Sequence, residues 1–160
     1  MTVRTGIGYD AHRLQSGTDL WIGGVKIDFE AGLEGHSDGD VLVHALVDAL
    51  LGAAGLGDIG THFPSSDPKY LGVSSLDFLH YTAELLDHQG WRVGNLDATI
   101  IAERPRLAPF SSNMSEVIAE SLNIASGQVN IKSTTSDGLG FSGQGDGIAA
   151  LAIATIENKT

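Results

Sequence analysis

The segment from Asp38 to Leu56 constrains the fold more than any other. Val43, Leu46, Val47, Leu50, Leu51 and Ala54 recur at helical spacing and form one apolar stripe, so residues 38–56 are expected to be a helix laid on a core. Asp40, His44 and Asp48 fall at i, i+4 and i+8 on a separate polar stripe, and Ser37 is placed to cap the helix with Asp40 three residues on. The flanks supply partners for such a helix. VRTGIGYDAH reads as a strand, and Leu20 to Phe29 reads as a hairpin turning at Gly23-Gly24. A second helix is expected from Ser75 to His88, with Leu76, Leu79, Ala83 and Leu86 inward and Gly90 at C′.

Trp91 to Ala102 then reads as a strand, and Pro109 opens a third helix through Met114, Val117, Ile118 and Leu122. Val129 to Thr134 alternates apolar and polar residues, the pattern of a half-buried strand. Ile148 to Ile156 is apolar on both faces, the pattern of a central strand covered on both sides. Strands and helices do not alternate regularly. The expected architecture is therefore α+β, a two-layer sandwich of a mixed β-sheet with a β-hairpin and three helices, in one domain spanning 1–160.

Charge and composition narrow the function. With 9 Lys and Arg against 20 Asp and Glu, the net charge of −11 argues against nucleic acid or an anionic membrane as partner. There is no cysteine, which removes disulfides, thiolate metal sites and thiol catalysis. No run of about 18 apolar residues and no secretory leader is seen, so a cytoplasmic protein is expected, with a removed plastid transit peptide as the alternative. If the substrate carries phosphates, cations or helix N-termini must offset the repulsion.

Asp10 and His12 lie two apart in a strand and so share a face, and His44 adds a third ligand type from the helix. Two imidazoles and a carboxylate suit zinc with one position open, and equally a non-haem iron. An ordinary strand-end pair and a helix-surface histidine would give the same letters. His62, His80 and His88 read as solvated or structural.

Longer motifs choose among these readings. HSDGDVLVHALVDALLGAAGLGDIG, from His36 to Gly60, resembles the signature of the 2-C-methyl-D-erythritol 2,4-cyclodiphosphate synthase family. So do the opening Gly8-Tyr9-Asp10-Ala11-His12, the FPSSD of Phe63 to Asp67, and TTSDGLGFSGQGDGIA from Thr134 to Ala149. The resemblance runs the length of the chain in order. It implies cyclisation of 4-diphosphocytidyl-2-C-methyl-D-erythritol 2-phosphate to the 2,4-cyclodiphosphate with release of CMP, a step of the non-mevalonate isoprenoid route. A different zinc-dependent phosphoryl-transfer enzyme or phosphohydrolase is the alternative.

By motif match the resemblance implies Asp10, His12 and His44 as ligands of one Zn²⁺. His36 and Thr135 match the transition-state-stabilising positions, and Asp137 matches an acidic ligand of a second divalent cation, Mg²⁺ or Mn²⁺, on the diphosphate. Substrate contacts are implied for Ser37 and for Asp58, Ile59 and Gly60 at the ribose. Phe63, Pro64, Ser65, Ser66 and Asp67 match a flexible loop over the methylerythritol end, while Ala102, Arg106, Leu107 and Ala108 match the cytidine pocket. Thr134, Ser136, Phe141 and Gln144 complete the set. Family members are homotrimers with active sites between subunits, and the same is implied here.

Two positions depart from the family pattern. Gln144 stands where many relatives carry Arg, and Asp146 where they carry Glu; Gln lacks the charge and the bidentate fork, so weak or absent isoprenoid diphosphate binding in the central trimer cavity is expected. Asp137 is one methylene shorter than the common Glu. His44→Ala is expected to lose zinc and activity with the fold largely intact, because the residue lies off the apolar stripe.

Overall fold

The computed structural model describes residues 1–159. A long first strand β1 (Val3–Ser16) is followed by the hairpin β2 (Leu20–Ile22) and β3 (Val25–Ile27), then a short β4 (Ala31–Leu33) and the helix α1 (Val41–Ala54). The four-residue α2 (Ile59–His62), α3 (Ser75–His88), β5 (Trp91–Ile101), α4 (Ser111–Leu122), β6 (Val129–Thr134), the four-residue α5 (Gly140–Gly143) and β7 (Gly147–Asn158) complete the order. Five strands form one sheet in the order β4-β1-β7-β5-β6, and β2 and β3 form a second. β5 and β6 run parallel and the other pairs antiparallel, so the sheet is mixed as expected.

One face of the sheet carries the helices. Along β1 the even residues point to α1, and Gly6 and Gly8 are there because nothing larger fits. A Cβ on Gly8 would lie 1.9 Å from the Ala45 carbonyl oxygen, and one on Gly6 2.0 Å from that of Ala49. The alanines Ala150, Ala152 and Ala154 of β7 continue this shallow floor, and all are buried. α1 therefore sinks into the sheet. Eleven of its fourteen residues are buried, including every one from Val41 to Val47. The expected polar stripe is not a solvated face: Asp40 is 0 % exposed and His44 8 % exposed.

The hairpin turns at Gly23 and Gly24, which have φ of 62° and 74°, both in the left-handed region that a tight two-residue turn requires. Asp40 fastens this turn to α1. Its carboxylate accepts the backbone N–H of Gly23 (2.9 Å), Gly24 (2.7 Å) and Val43 (3.1 Å). Asp40 is thus the N-cap, and not Ser37, so the helix begins at Val41 rather than 38. Ser37 is turned instead toward His44.

Other expectations hold or shift for local reasons. α3 spans the expected residues, and Gly90 follows it with φ of 79°. Pro109 sits in a 3₁₀ turn, Ala108–Phe110, and the α-helix starts one residue later. α2 and α5 are too short to carry a period, which is why three helices were expected and five are present among the described residues; β4 is likewise too short to carry one. The last strand is central, but it is covered on one face only. Leu151 and Ile153 are 40 % and 45 % exposed beside Ile7 and Tyr9 of β1, at 67 % and 56 %.

Candidate active site

The period-two geometry that sends Gly6 and Gly8 toward α1 sends Asp10 and His12 the same way, two and four residues beyond Gly8. There β1 passes the first turn of α1, and His44 meets them. His12 Nε2 lies 2.8 Å from Asp10 Oδ2 and 3.2 Å from His44 Nδ1, and His44 Nδ1 lies 3.0 Å from the same Asp10 oxygen. Three ligand atoms from two elements converge on one point, the donor set expected of a metal centre.

Hydrogen bonds around this point set which ring nitrogens face it. His12 Nδ1 contacts the Glu34 carbonyl at 2.5 Å. A carbonyl only accepts, so Nδ1 carries the hydrogen and Nε2 turns a lone pair to the site. Burial alone would raise the Asp10 carboxyl, but hydrogen bonds and charge from His12 and His44 outweigh it and hold the group at about 2. His12 is affected in the reciprocal sense: burial lowers it, while the Asp10 carboxylate and the Glu34 carbonyl raise it. The site is therefore an ionised carboxylate with two imidazoles aimed inward, and it fits a divalent cation with an open position.

A cavity of about 260 Å³ opens from these three residues, lined also by His36, Ser37, Ile59, Gly60, Phe63, Ser65, Tyr70 and Phe78. His36 Nε2–H donates to the Asp67 carbonyl at 3.0 Å, which ties the HSDGD turn to the loop that follows α2. Phe63 stacks on Phe78 with centroids 4.3 Å apart, so the first residue of the FPSSD loop is anchored. Asp67 caps the next turn through the Lys69 N–H. Asp58 N-caps α2, accepting from the Thr61 amide (2.9 Å) and hydroxyl (2.7 Å), and Asp48 of α1 accepts the Ile59 N–H at 2.7 Å. Asp58, Pro64, Ser66 and Asp67 shape this wall without lining the cavity.

The other half of the expected site lies elsewhere in the chain. Thr134 ends β6, and the register Ala11–Ala149–Ile101–Thr134 places it level with the candidate metal ligands but three strands away, roughly 14 Å. Thr135 and Asp137 follow; Asp137 has φ of 51°, a left-handed conformation that a non-glycine residue adopts at some energetic cost, and its carboxylate accepts from the Thr135 hydroxyl. Ala102 and Leu107 are buried, whereas Arg106, Ala108 and Ser136 are not. Phe141 borders a hollow with Arg13 and Asp146, and Gln144 borders another with Glu103 and Arg104. None of these residues lines the metal cavity.

Sequence reasoning missed Tyr70 and Phe78 as cavity walls and Ser75 beside His44. Their only signal is that of a helix start and an aromatic core. A larger hollow, about 620 Å³, lies at the opposite end of the sheet near Trp91 and Gln128. Its carboxylates are already paired, Glu157 with Arg92 and Asp87 with Lys159, so it has no free ligand set. His80 and His88 are exposed, as expected, and His80 lies 3.6 Å from Glu84.

Comparison with known proteins agrees with this geometry. The pattern of the YgbB family matches residues 3–157. A 2-C-methyl-D-erythritol 2,4-cyclodiphosphate synthase of Clostridium perfringens is 53% identical over 154 residues, covering 96% of this chain and 99% of that protein. Among solved structures, the bifunctional IspDF of Campylobacter jejuni superimposes with a TM-score of 0.95 at 38% identity, over 98% of this chain and 42% of that one. IspF of Plasmodium falciparum, solved as a CDP complex, superimposes with a TM-score of 0.87 at 34% identity over 99% and 97% of the two chains.

Proposed function

The chain belongs to the YgbB family, and from that premise we propose that it cyclises 4-diphosphocytidyl-2-C-methyl-D-erythritol 2-phosphate to 2-C-methyl-D-erythritol 2,4-cyclodiphosphate. An oxygen of the 2-phosphate attacks the β-phosphorus, the bond from that phosphorus to the bridging oxygen breaks, and CMP leaves with the electron pair. The convergence of His12 Nε2, His44 Nδ1 and Asp10 Oδ2 carries the reading, because a chain at −11 needs cations to hold two phosphoryl groups together.

Zn²⁺ on Asp10, His12 and His44, with Mg²⁺ or Mn²⁺ on Asp137, would supply Lewis acidity to the phosphoryl oxygens. The residues of the chain do the positioning. No strong base is needed, since the nucleophile is already an anion, and the barrier is one of alignment and charge. Ser37 presents its hydroxyl and His36 its ring at the cavity wall, where the backbone also leads into α1. Phe63, Tyr70 and Phe78 supply an apolar floor against the methylerythritol carbons. Folding the substrate back on itself makes the attack intramolecular, an arrangement that can lower the barrier by about 7–11 kcal/mol when well aligned.

A cavity of about 260 Å³ accommodates the methylerythritol phosphate end but not the cytidine as well. The cytidine falls to residues 102–108 and the diphosphate contacts of Thr135 and Asp137 to the adjoining 134–137, three strands away in the same chain. A second copy, placed with its own 134–137 segment against this cavity, completes the site. The uncovered apolar face at Ile7, Tyr9, Leu151 and Ile153 gives such copies a surface to bury. We therefore read the working form as a homotrimer with its sites between subunits, acting in the cytoplasm. The test is CMP release together with phosphorus NMR of the product. Coupled resonances of a cyclic diphosphate are expected; inorganic phosphate in their place overturns the cyclase reading in favour of a phosphohydrolase.

A further inference from the structure

His44 reaches the metal point through Nδ1, and its other nitrogen is not left to solvent. Nε2 lies 2.8 Å from Ser75 Oγ and 3.1 Å from Ser37 Oγ. Ser75 is the first residue of α3 and is wholly buried. Its hydroxyl also donates to Asp38 Oδ1, and its backbone N–H donates to Asp38 Oδ2 at 2.9 Å. Asp38 Oδ1 accepts the Asp40 N–H as well, at 3.0 Å.

The direction of these bonds follows from what each group can offer. A carboxylate only accepts, so the single Ser75 hydroxyl proton goes to Asp38. The Ser75 oxygen then has only lone pairs to turn toward His44, and His44 must carry its hydrogen on Nε2. That leaves the Nδ1 lone pair directed at Asp10 and His12. We propose that Asp38 and Ser75 form a positioning relay that fixes the metal-binding tautomer and ring orientation of His44. Resting on the metal-site reading above, the relay adds two residues that touch neither metal nor substrate. Ser37, more distant from Nε2 and facing the cavity, stays free to meet the substrate. The relay also links docking of α3 to the ligand on α1, because Ser75 belongs to one helix and His44 to the other.

The experiment uses zinc ion alone as probe. Two-bond proton–nitrogen correlation on the zinc-loaded wild type should show His44 protonated at Nε2 and metal-shifted at Nδ1; protonation at Nδ1 overturns the relay without any variant. Zinc affinity, read by chelator competition, should fall roughly 10–100-fold in Ser75→Ala and in Asp38→Asn, the usual range for partners one shell out from a metal, and stay near wild type in Ser37→Ala. Ser75→Ala with a native circular dichroism spectrum and wild-type affinity overturns the relay, as does an equal loss in Ser37→Ala. A wild type that takes up no zinc overturns the metal-site reading and the relay together, whereas loss of the relay alone leaves wild-type zinc binding intact.

Discussion

At the scale of single residues, burial changes what two polar side chains do. His44 was expected off the apolar stripe, where truncation would leave the fold largely intact. It is instead buried against His12 and Phe78, with Ser75 and Ser37 bonded to it. His44→Ala should therefore abolish stoichiometric zinc binding and also cost roughly 2–3 kcal/mol in denaturant unfolding of the metal-free protein, because it leaves a void and unpaired hydroxyls. Asp40 is the second case. Burial and the Asp38 charge raise its carboxyl from 3.8 to about 6, against the three backbone N–H groups it accepts. A carboxyl raised in the folded state binds more protons folded than unfolded between those values, so its contribution to stability falls as pH climbs from about 4 to 6. Asp10 acts with the opposite sign and lower down: its contribution is present above 3.8 and lost as pH falls toward about 2. Metal-free Asp40→Asn should flatten the stability profile between pH 4 and 6 by an amount on the order of 3 kcal/mol relative to wild type. An unchanged slope in urea titrations across that window would show that Asp40 does not titrate there.

At the scale of elements, the contact between β1 and α1 holds the candidate metal ligands in register. Gly6 and Gly8 bring the strand to the helix backbone, and the same alternation carries Asp10 and His12 to His44 two and four residues later. Gly8→Ala places a methyl 1.9 Å from the Ala45 carbonyl oxygen, with backbone on both sides and nothing flexible to yield. Overpacking of this kind should cost roughly 3 kcal/mol or more and lower the melting temperature by about 6–12 °C for a chain of this size. Zinc affinity should drop with it, since the helix must move off the strand that carries two of the three ligands. A thermal scan with chelator competition on the same sample checks both effects. VRTGIGYDAH was legible in the sequence as a strand, but the helix that its glycines admit was not, because that helix comes about thirty residues later.

At the scale of the whole molecule, one chain holds both halves of the expected site and does not join them. Asp10, His12 and His44 line one cavity, and Thr135 and Asp137 lie across the sheet. If copies share sites, two inactive variants should rescue each other. Asp10→Ala and Asp137→Ala, unfolded together and refolded as an equimolar mixture, should recover about a quarter of wild-type activity, since a sound half from each of two randomly drawn neighbours meets at one interface in four in a closed ring. No recovery, with mixed assemblies confirmed by mass spectrometry, would place both halves of each site within one subunit.

The sequence by itself determined the period of each long element, the hairpin turn at Gly23-Gly24, the lack of cysteine and, through its motifs, the family and the three candidate metal ligands. These rest on local chemistry: side-chain spacing, backbone conformation and residue type are written along the chain. Tertiary structure alone decided that α1 is buried all round over its first two turns and that Asp40 rather than Ser37 caps it. It also decided that Ser75 stands behind His44 and that one face of the central strand is bare. Each of those depends on which distant element comes to rest against a residue. Helical periodicity reports the side a helix presents to its first partner, and says nothing of a second partner that closes over the other side.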